Sequence, residues 1–227
     1  MMGGHLAFGT FSYDAAHLLG GGVLVLSFVL LYQRRLTAVI NTYALQSVVL
    51  AAAAAWQAWV QDAPHLYLTA GITLAAKGIA IPLGMHRIVR QLQVNRSLES
   101  ALGIFPSMAM GVGLVTLSIL VVLPVTPQAQ TLTREELALA LSVVLMGLLM
   151  MITRRTAMTQ VLGFMSLENG LILAAVSVAG MPLVVELSVA VLVLLAFAVF
   201  GVFFFRIRDR FDSLHLDNLD RVGGIHR

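Results

Sequence analysis

Several apolar runs of about 20 residues, continuous rather than alternating, leave this chain few ways to fold. A run of that length matches the hydrocarbon thickness of a bilayer when it is helical, whereas a membrane strand alternates. In hydrocarbon every backbone N–H and C=O must be satisfied within the segment itself, which a helix does. Charged residues make up only 11% of the chain, against about 25% in a soluble domain. The pattern therefore predicts an all-α integral membrane protein. Seven transmembrane helices are expected, at 16–33, 36–60, 66–90, 104–124, 135–153, 157–179 and 183–206. They form one domain over 1–206, with 207–227 as a cytoplasmic tail.

The charges orient this bundle. Arg34, Arg35, Arg87, Arg90, Arg96, Arg154, Arg155, Arg206, Arg208, Arg210, Arg221 and Arg227 fall on one side of the predicted helices, and Arg134 on the other. By the positive-inside rule the arginine-rich side is cytoplasmic, so the N-terminus is outside and the C-terminus inside. The isoelectric point near 9.8 thus reflects topology, and no nucleic-acid partner is expected. Met1 to Tyr13 lacks a basic leader region, so no cleavable signal peptide is expected. The chain has no cysteine, which excludes disulfides, thiolate-held iron–sulfur clusters and Cys-ligated zinc. No cofactor is expected, and any redox chemistry belongs to partner subunits.

A weak three-helix repeat runs through the sequence. Arg34–Arg35 begin the second helix and Arg154–Arg155 the sixth. Downstream, Y-A-L-Q-S-V-V-L-A-A (43–52) parallels M-S-L-E-N-G-L-I-L-A-A (165–175), which sets Gln46 opposite Glu168. Repeat A (16–90) and repeat B (135–206) would run in the same direction, joined by the fourth helix.

Deep within the predicted spans, away from their ends, lie two ionisable side chains, Lys77 and Glu168. A charge at the centre of a membrane helix costs roughly 2.5–3.5 kcal/mol on insertion scales. At a rise of about 1.5 Å per residue, Glu168 lies about 20 Å from Arg155, Lys77 about 15 Å from Arg87 and Gln46 about 16 Å from Arg35. All three fall near the midplane, and Asn41 and Asn169 add amides on the same two helices. One reading is a buried ion pair or amide lattice that only locks helices together. The other is a proton path, because burial penalises the charged form of each group and each charge biases the other. Gly78 and Pro82 beside Lys77 suggest a loosened hydrogen-bond ladder, or equally a tolerated kink at Pro82. His86 could pass protons to or from Lys77, although an ordinary interfacial histidine is the simpler reading. Thr133 and Glu136 fit S/T-x-x-E, a capping box that would start the fifth helix. Trp56 and Trp59 fit an aromatic belt. The amphipathic tail F-D-S-L-H-L-D-N-L-D-R-V-G-G (211–224) is too short to fold alone and would dock on a neighbouring subunit or on the membrane.

Four segments taken in order give the chain a family likeness: A-L-Q-S-V-V-L (44–50), A-K-G-I-A-I-P-L (76–83), V-L-G-F-M-S-L-E-N-G (161–170) and L-H-L-D-N-L-D-R-V-G-G (214–224). Together they resemble the hydrogenase-4 component E type membrane subunits of formate hydrogenlyase-like complexes. Those are related in turn to the NuoK (chain 4L) subunit of respiratory NADH dehydrogenase and to the matching subunit of Mrp-type cation antiporters. The resemblance implies a membrane-arm subunit of a redox-driven proton or sodium pump of the group 4 [NiFe] hydrogenase superfamily, in a prokaryotic cytoplasmic (inner) membrane. It implies antiporter-like and quinone-site-like membrane subunits as neighbours, and no catalysis by this chain alone. Glu168 falls on the position of a carboxylate that NuoK-like proteins place on a hydrophilic axis. The second acidic residue of that pattern is missing, since 189–202 is wholly apolar. Lys77 would be the substitute partner, with Gln46, Asn169, Asn41 and His86 along the path. The alternative is a structural or assembly subunit with no transport role of its own.

Overall fold

The turn after the second long helix shows how local sequence sets the chain's path. Asp62 takes a left-handed backbone (φ 51°), which Asp tolerates better than most side chains. The Ala63 N–H then bonds the Ala58 carbonyl at 3.0 Å, closing the helix in a Schellman-type cap. Pro64 opens the next helix in its first turn, where its missing N–H costs nothing.

The computed structural model describes residues 3–92, 102–126 and 131–178. All lie in the first of two units, Met1–Glu186, and none in the second, Leu187–Arg227. The elements are α1 (Gly3–Tyr32), α2 (Leu36–Val60), α3 (Pro64–Ile72), a π-helical segment (Thr73–Ala80), α4 (Ile81–Leu92), α5 (Ile104–Val125), α6 (Thr131–Thr153) and α7 (Ala157–Ser177). The third, π-helical and fourth pieces form one continuous span, Pro64–Arg90. Among the described residues six helices are long and apolar enough to cross a membrane, matching the first six predicted. The predicted seventh helix, 183–206, and the tail, 207–227, lie outside the described residues.

Four helices form a closed ring: α1 packs on α2 and α6, and α7 packs on α2 and α6. The Pro64–Arg90 span lies against α2, and α5 lies against α6 and α1. Phe105, Leu117, Leu120 and Val121 of α5 stay exposed, as do Leu68, Ile79 and Leu83 of the third span. Ring directions follow from the end contacts. Arg154, just past α6, bonds carbonyls at the end of α1, and Gln61, just past α2, bonds Val176 at the end of α7. Thus α1 and α6 run one way and α2 and α7 the other. Arg34, Arg35, Arg154 and Arg155 share one end of the ring, while Arg134 stands at the opposite end.

The tightest pairing in the ring is α6 against α7. A Cβ on Gly147 would stand 2.6 Å from the Leu167 nitrogen, and one on Gly170 would stand 2.8 Å from the Val144 nitrogen. Small residues let membrane helices touch backbone to backbone, where van der Waals packing replaces the missing hydrophobic drive.

Pro82 explains the π-helical segment. It has no N–H to donate, and its ring crowds the carbonyl four residues back, at Gly78. The ladder widens, and the Ile81 N–H reaches the Ala76 carbonyl, five residues back. This is the loosened ladder expected from Gly78 and Pro82, and it carries Lys77.

Candidate functional site, a buried polar chain

Lys77 and Glu168 meet. Nζ lies 3.1 Å from Oε2 of Glu168, with Lys77 1% and Glu168 4% exposed. The directed hydrogen bond from Nζ goes to Asn169 Oδ1 at 3.2 Å. Asn169 in turn donates to Gln46 Oε1 at 3.2 Å and to Ser47 Oγ at 3.3 Å. Gln46 Nε2 donates to Ser27 Oγ at 2.8 Å and to the Val23 carbonyl at 3.3 Å. Glu168, Lys77, Asn169, Gln46 and Ser27 therefore form one connected run across α7, the π-helical segment, α2 and α1.

Each link has a local cause. The widened turn presents Lys77 inward while Leu74 and Ile79 stay exposed. Close α6–α7 packing at Gly163 and Gly170 fixes α7, so that Glu168 and Asn169 face the third span and α2. Burying two ions costs several kcal/mol each, and contact plus hydrogen bonds must offset it. The offset is incomplete at one point: neither oxygen of Glu168 accepts a directed hydrogen bond from the described residues. The buried Tyr43 hydroxyl lies within reach of the Ser47 hydroxyl and within electrostatic reach of Glu168.

Two of the expected path residues stand apart. Asn41 is exposed: it is five residues before Gln46, which turns it to another face of α2. His86 is half-buried, and its Nδ1 is 2.8 Å from the Pro82 carbonyl. Nine residues past Lys77, it sits about 13 Å along the helix, too far for direct exchange.

The structure adds residues that sequence reasoning missed. Glu136 is 3% exposed, and both its oxygens lie 2.9 Å from Gln57 Nε2. The capping-box expectation is therefore corrected. The sixth α-helix begins at Thr131, so Thr133 is inside it, and Glu136 points into the ring. Gln61 bonds Gln57 Oε1 at 3.1 Å and the Val176 carbonyl at 2.8 Å. Beside it the Glu135 carboxylate binds the Tyr13 hydroxyl and His17 Nε2. The available signal was Gln57, a lone amide in an alanine-rich stretch.

Arg154, one of the charges that orient the bundle, is only 3% exposed. One guanidinium nitrogen donates to the carbonyls of Leu31 at 2.8 Å and Gln33 at 2.5 Å. These are orphan carbonyls at the end of α1, and a cation there also meets the negative end of the helix dipole. Burial, and after it the Arg34 charge, lower the Arg154 pKa from its ordinary value. Arg134 does the same for α5, donating to the Leu123 carbonyl at 2.6 Å.

No family model and no solved structure matches the chain. Among curated proteins, the uncharacterised protein Rv0085 of Mycobacterium tuberculosis is 30% identical over 202 residues, covering 88% of this chain and 91% of the relative. Hydrogenase-4 component E of Escherichia coli K12 is 28% identical over 184 residues, covering 80% of this chain and 85% of the relative. The Shigella flexneri protein of the same name gives the same figures. A multi-pass helical chain with bacterial homologues over most of its length, it belongs to the family of Rv0085 and is a distant homologue of hydrogenase-4 component E.

Proposed function

We propose that the protein is a membrane-arm subunit of a redox-driven, ion-pumping complex in a prokaryotic cytoplasmic membrane, and that it carries part of a proton path. The observation that supports this most is the buried run from Glu168 through Lys77, Asn169 and Gln46 to Ser27. It links the two groups in this run whose charge can change by proton transfer to amides and hydroxyls that can relay. Intramembrane acids and amines with such partners mark proton pathways by default. A relative named as a component of hydrogenase-4 supports membership of a multi-subunit assembly. Antiporter-like and quinone-site-like subunits are the proposed neighbours, with the tail docking on one of them.

The proposal keeps the outside N-terminus and cytoplasmic C-terminus. Within the ring, the exposed arginines 34, 35 and 155 gather at one end, which is the asymmetry the positive-inside rule reads. The parallel repeat gains support from Ser47 and Asn169. These residues fall opposite one another in the sequence match, and they bond each other across α2 and α7.

The test uses Glu168→Gln and Lys77→Ala in the purified complex, reconstituted into vesicles with a pH-sensitive dye. Pumping is expected to fall while the complex still assembles on a native gel. Unchanged turnover and pumping in both variants would sink the reading. One observation favours a purely structural role instead: Leu50, Ala54, Leu173 and Val143 are buried beyond the polar run. In that case the variants either disassemble or stay fully active.

A further inference from the structure

We propose that Glu136 is a second proton-exchange site, a port where the polar interior meets the aqueous phase at the end of the ring where α1 and α6 begin. The inference rests on the proton-path reading and extends it to a part of the bundle that the Lys77–Glu168 run does not reach.

The site draws on all four ring helices. Glu136 comes from α6, Gln57 from α2, Ser177 from α7 and His17 from α1. The carboxylate is buried, yet its sequence neighbour Glu135 has a side chain 36% exposed and His17 one 29% exposed. One step along α6 therefore passes from a dry carboxylate to a wet one already bonded to Tyr13 and His17. Nothing in a simple packing role calls for this pairing. A buried carboxylate held only by neutral groups, the Gln57 amide and the Ser177 hydroxyl, costs stability, and an apolar residue at the same place would not.

The proton balance is simple. An O–H bond on Glu136 breaks as an O–H bond on Glu135 or an N–H bond on His17 forms, and the reverse step reloads Glu136. No electron moves. The titratable groups within electrostatic reach of Glu136 are His17 and Tyr13 on α1, and Glu135 and Arg134 precede it on its own helix. Gln57 on α2 and Ser177 on α7 are neutral, and Arg134 is engaged with the Leu123 carbonyl.

Gln57 lies eleven residues past Gln46, about 16 Å along α2. The layer between them is built from Leu50, Ala53, Ala54, Val143, Ile172 and Leu173, with the buried Ser142 hydroxyl at the same depth on α6, bonded to the Ala138 carbonyl.

The test labels the native membrane complex with dicyclohexylcarbodiimide, which adds to protonated carboxyls in apolar surroundings, and maps the adduct by peptide mass. Labelling at Glu136 that falls as pH rises is expected; a Glu136 unlabelled at every pH overturns the proposal. In the same preparation Glu136→Gln is isosteric and is expected to lower pumping about tenfold, with Glu136→Asp recovering part of it. His17→Gln is expected to move the pH profile of pumping on that side of the membrane alone. If Glu168→Gln stops pumping while Glu136→Gln does not, the port is overturned and the path reading stands. If neither affects pumping, both fall.

Discussion

Glu168 Oε2 sits 3.1 Å from Lys77 Nζ, and the contact depends on a backbone irregularity in the partner helix. Without the widened turn before Pro82, residues after Thr73 would follow regular α-helical phase, and Lys77 would point elsewhere. The pair thus joins a sequence-encoded charge to a sequence-encoded kink. Both groups are buried, which makes each sensitive to the other's charge.

Breaking this pair on one side leaves a buried charge alone. Lys77→Met and Glu168→Leu are each expected to destabilise the protein by about 3 kcal/mol, while the double variant loses much less than the sum. Thermal unfolding in mild detergent measures this. Strictly additive losses would mean that the two groups do not interact.

Asn169 is the hinge of the polar run, since it accepts from Lys77 and donates to Gln46 and Ser47. Asn169→Leu is expected to cut coupled turnover about tenfold, equivalent to about 1.4 kcal/mol of barrier, with assembly preserved. Asn41→Leu serves as the control on the same helix pair. If the two variants behave alike, the bonded run has no special role.

Arg154 holds the end of α1. Arg154→Ala should lower stability by about 1.5–3 kcal/mol, the range for hydrogen bonds to a charged group. Arg155→Ala, exposed at the neighbouring position, should change it by less than about 0.5 kcal/mol. Hydrogen exchange at the last turn of α1 provides a local readout: protection there should fall only in the Arg154 variant.

Backbone contact between α6 and α7 leaves no room at Gly147. Gly147→Ala is expected to push the helices apart and cost about 1–3 kcal/mol. A Cβ at Gly113 meets nothing within 4 Å, so Gly113→Ala should leave stability unchanged or raise it, because alanine is the better helix former. Equal losses at the two positions would contradict the packing described.

Much of the site was legible because its chemistry is rare in its context. Lys77, Glu168, Gln46 and Asn169 stand out against apolar runs, and helical rise alone set the first three at a common depth. Ser27 and Ser47 gave no such signal, since serine in a membrane helix often bonds its own backbone, as both do here. Glu136 was concealed for a different reason. A Thr three residues ahead of a Glu is a strong local pattern, and only the run of α6 from Thr131 shows that Thr133 lies inside the helix and not at its cap.

The sequence by itself determined the class of fold, the places of six spans and which ionisable groups had to be explained. Run length, arginine placement and the Gly78–Pro82 signature act within one helix, so they can be read without neighbours. Which residues touch was decided only by tertiary structure. That the run includes Asn169 but not Asn41, and that Arg154 caps α1 rather than facing water, depend on how the helices rotate against one another. A rotation of about 100° per residue turns small differences in packing into a different inward face, and that packing is set by contacts between α6, α7, α2 and α1 that no single segment contains.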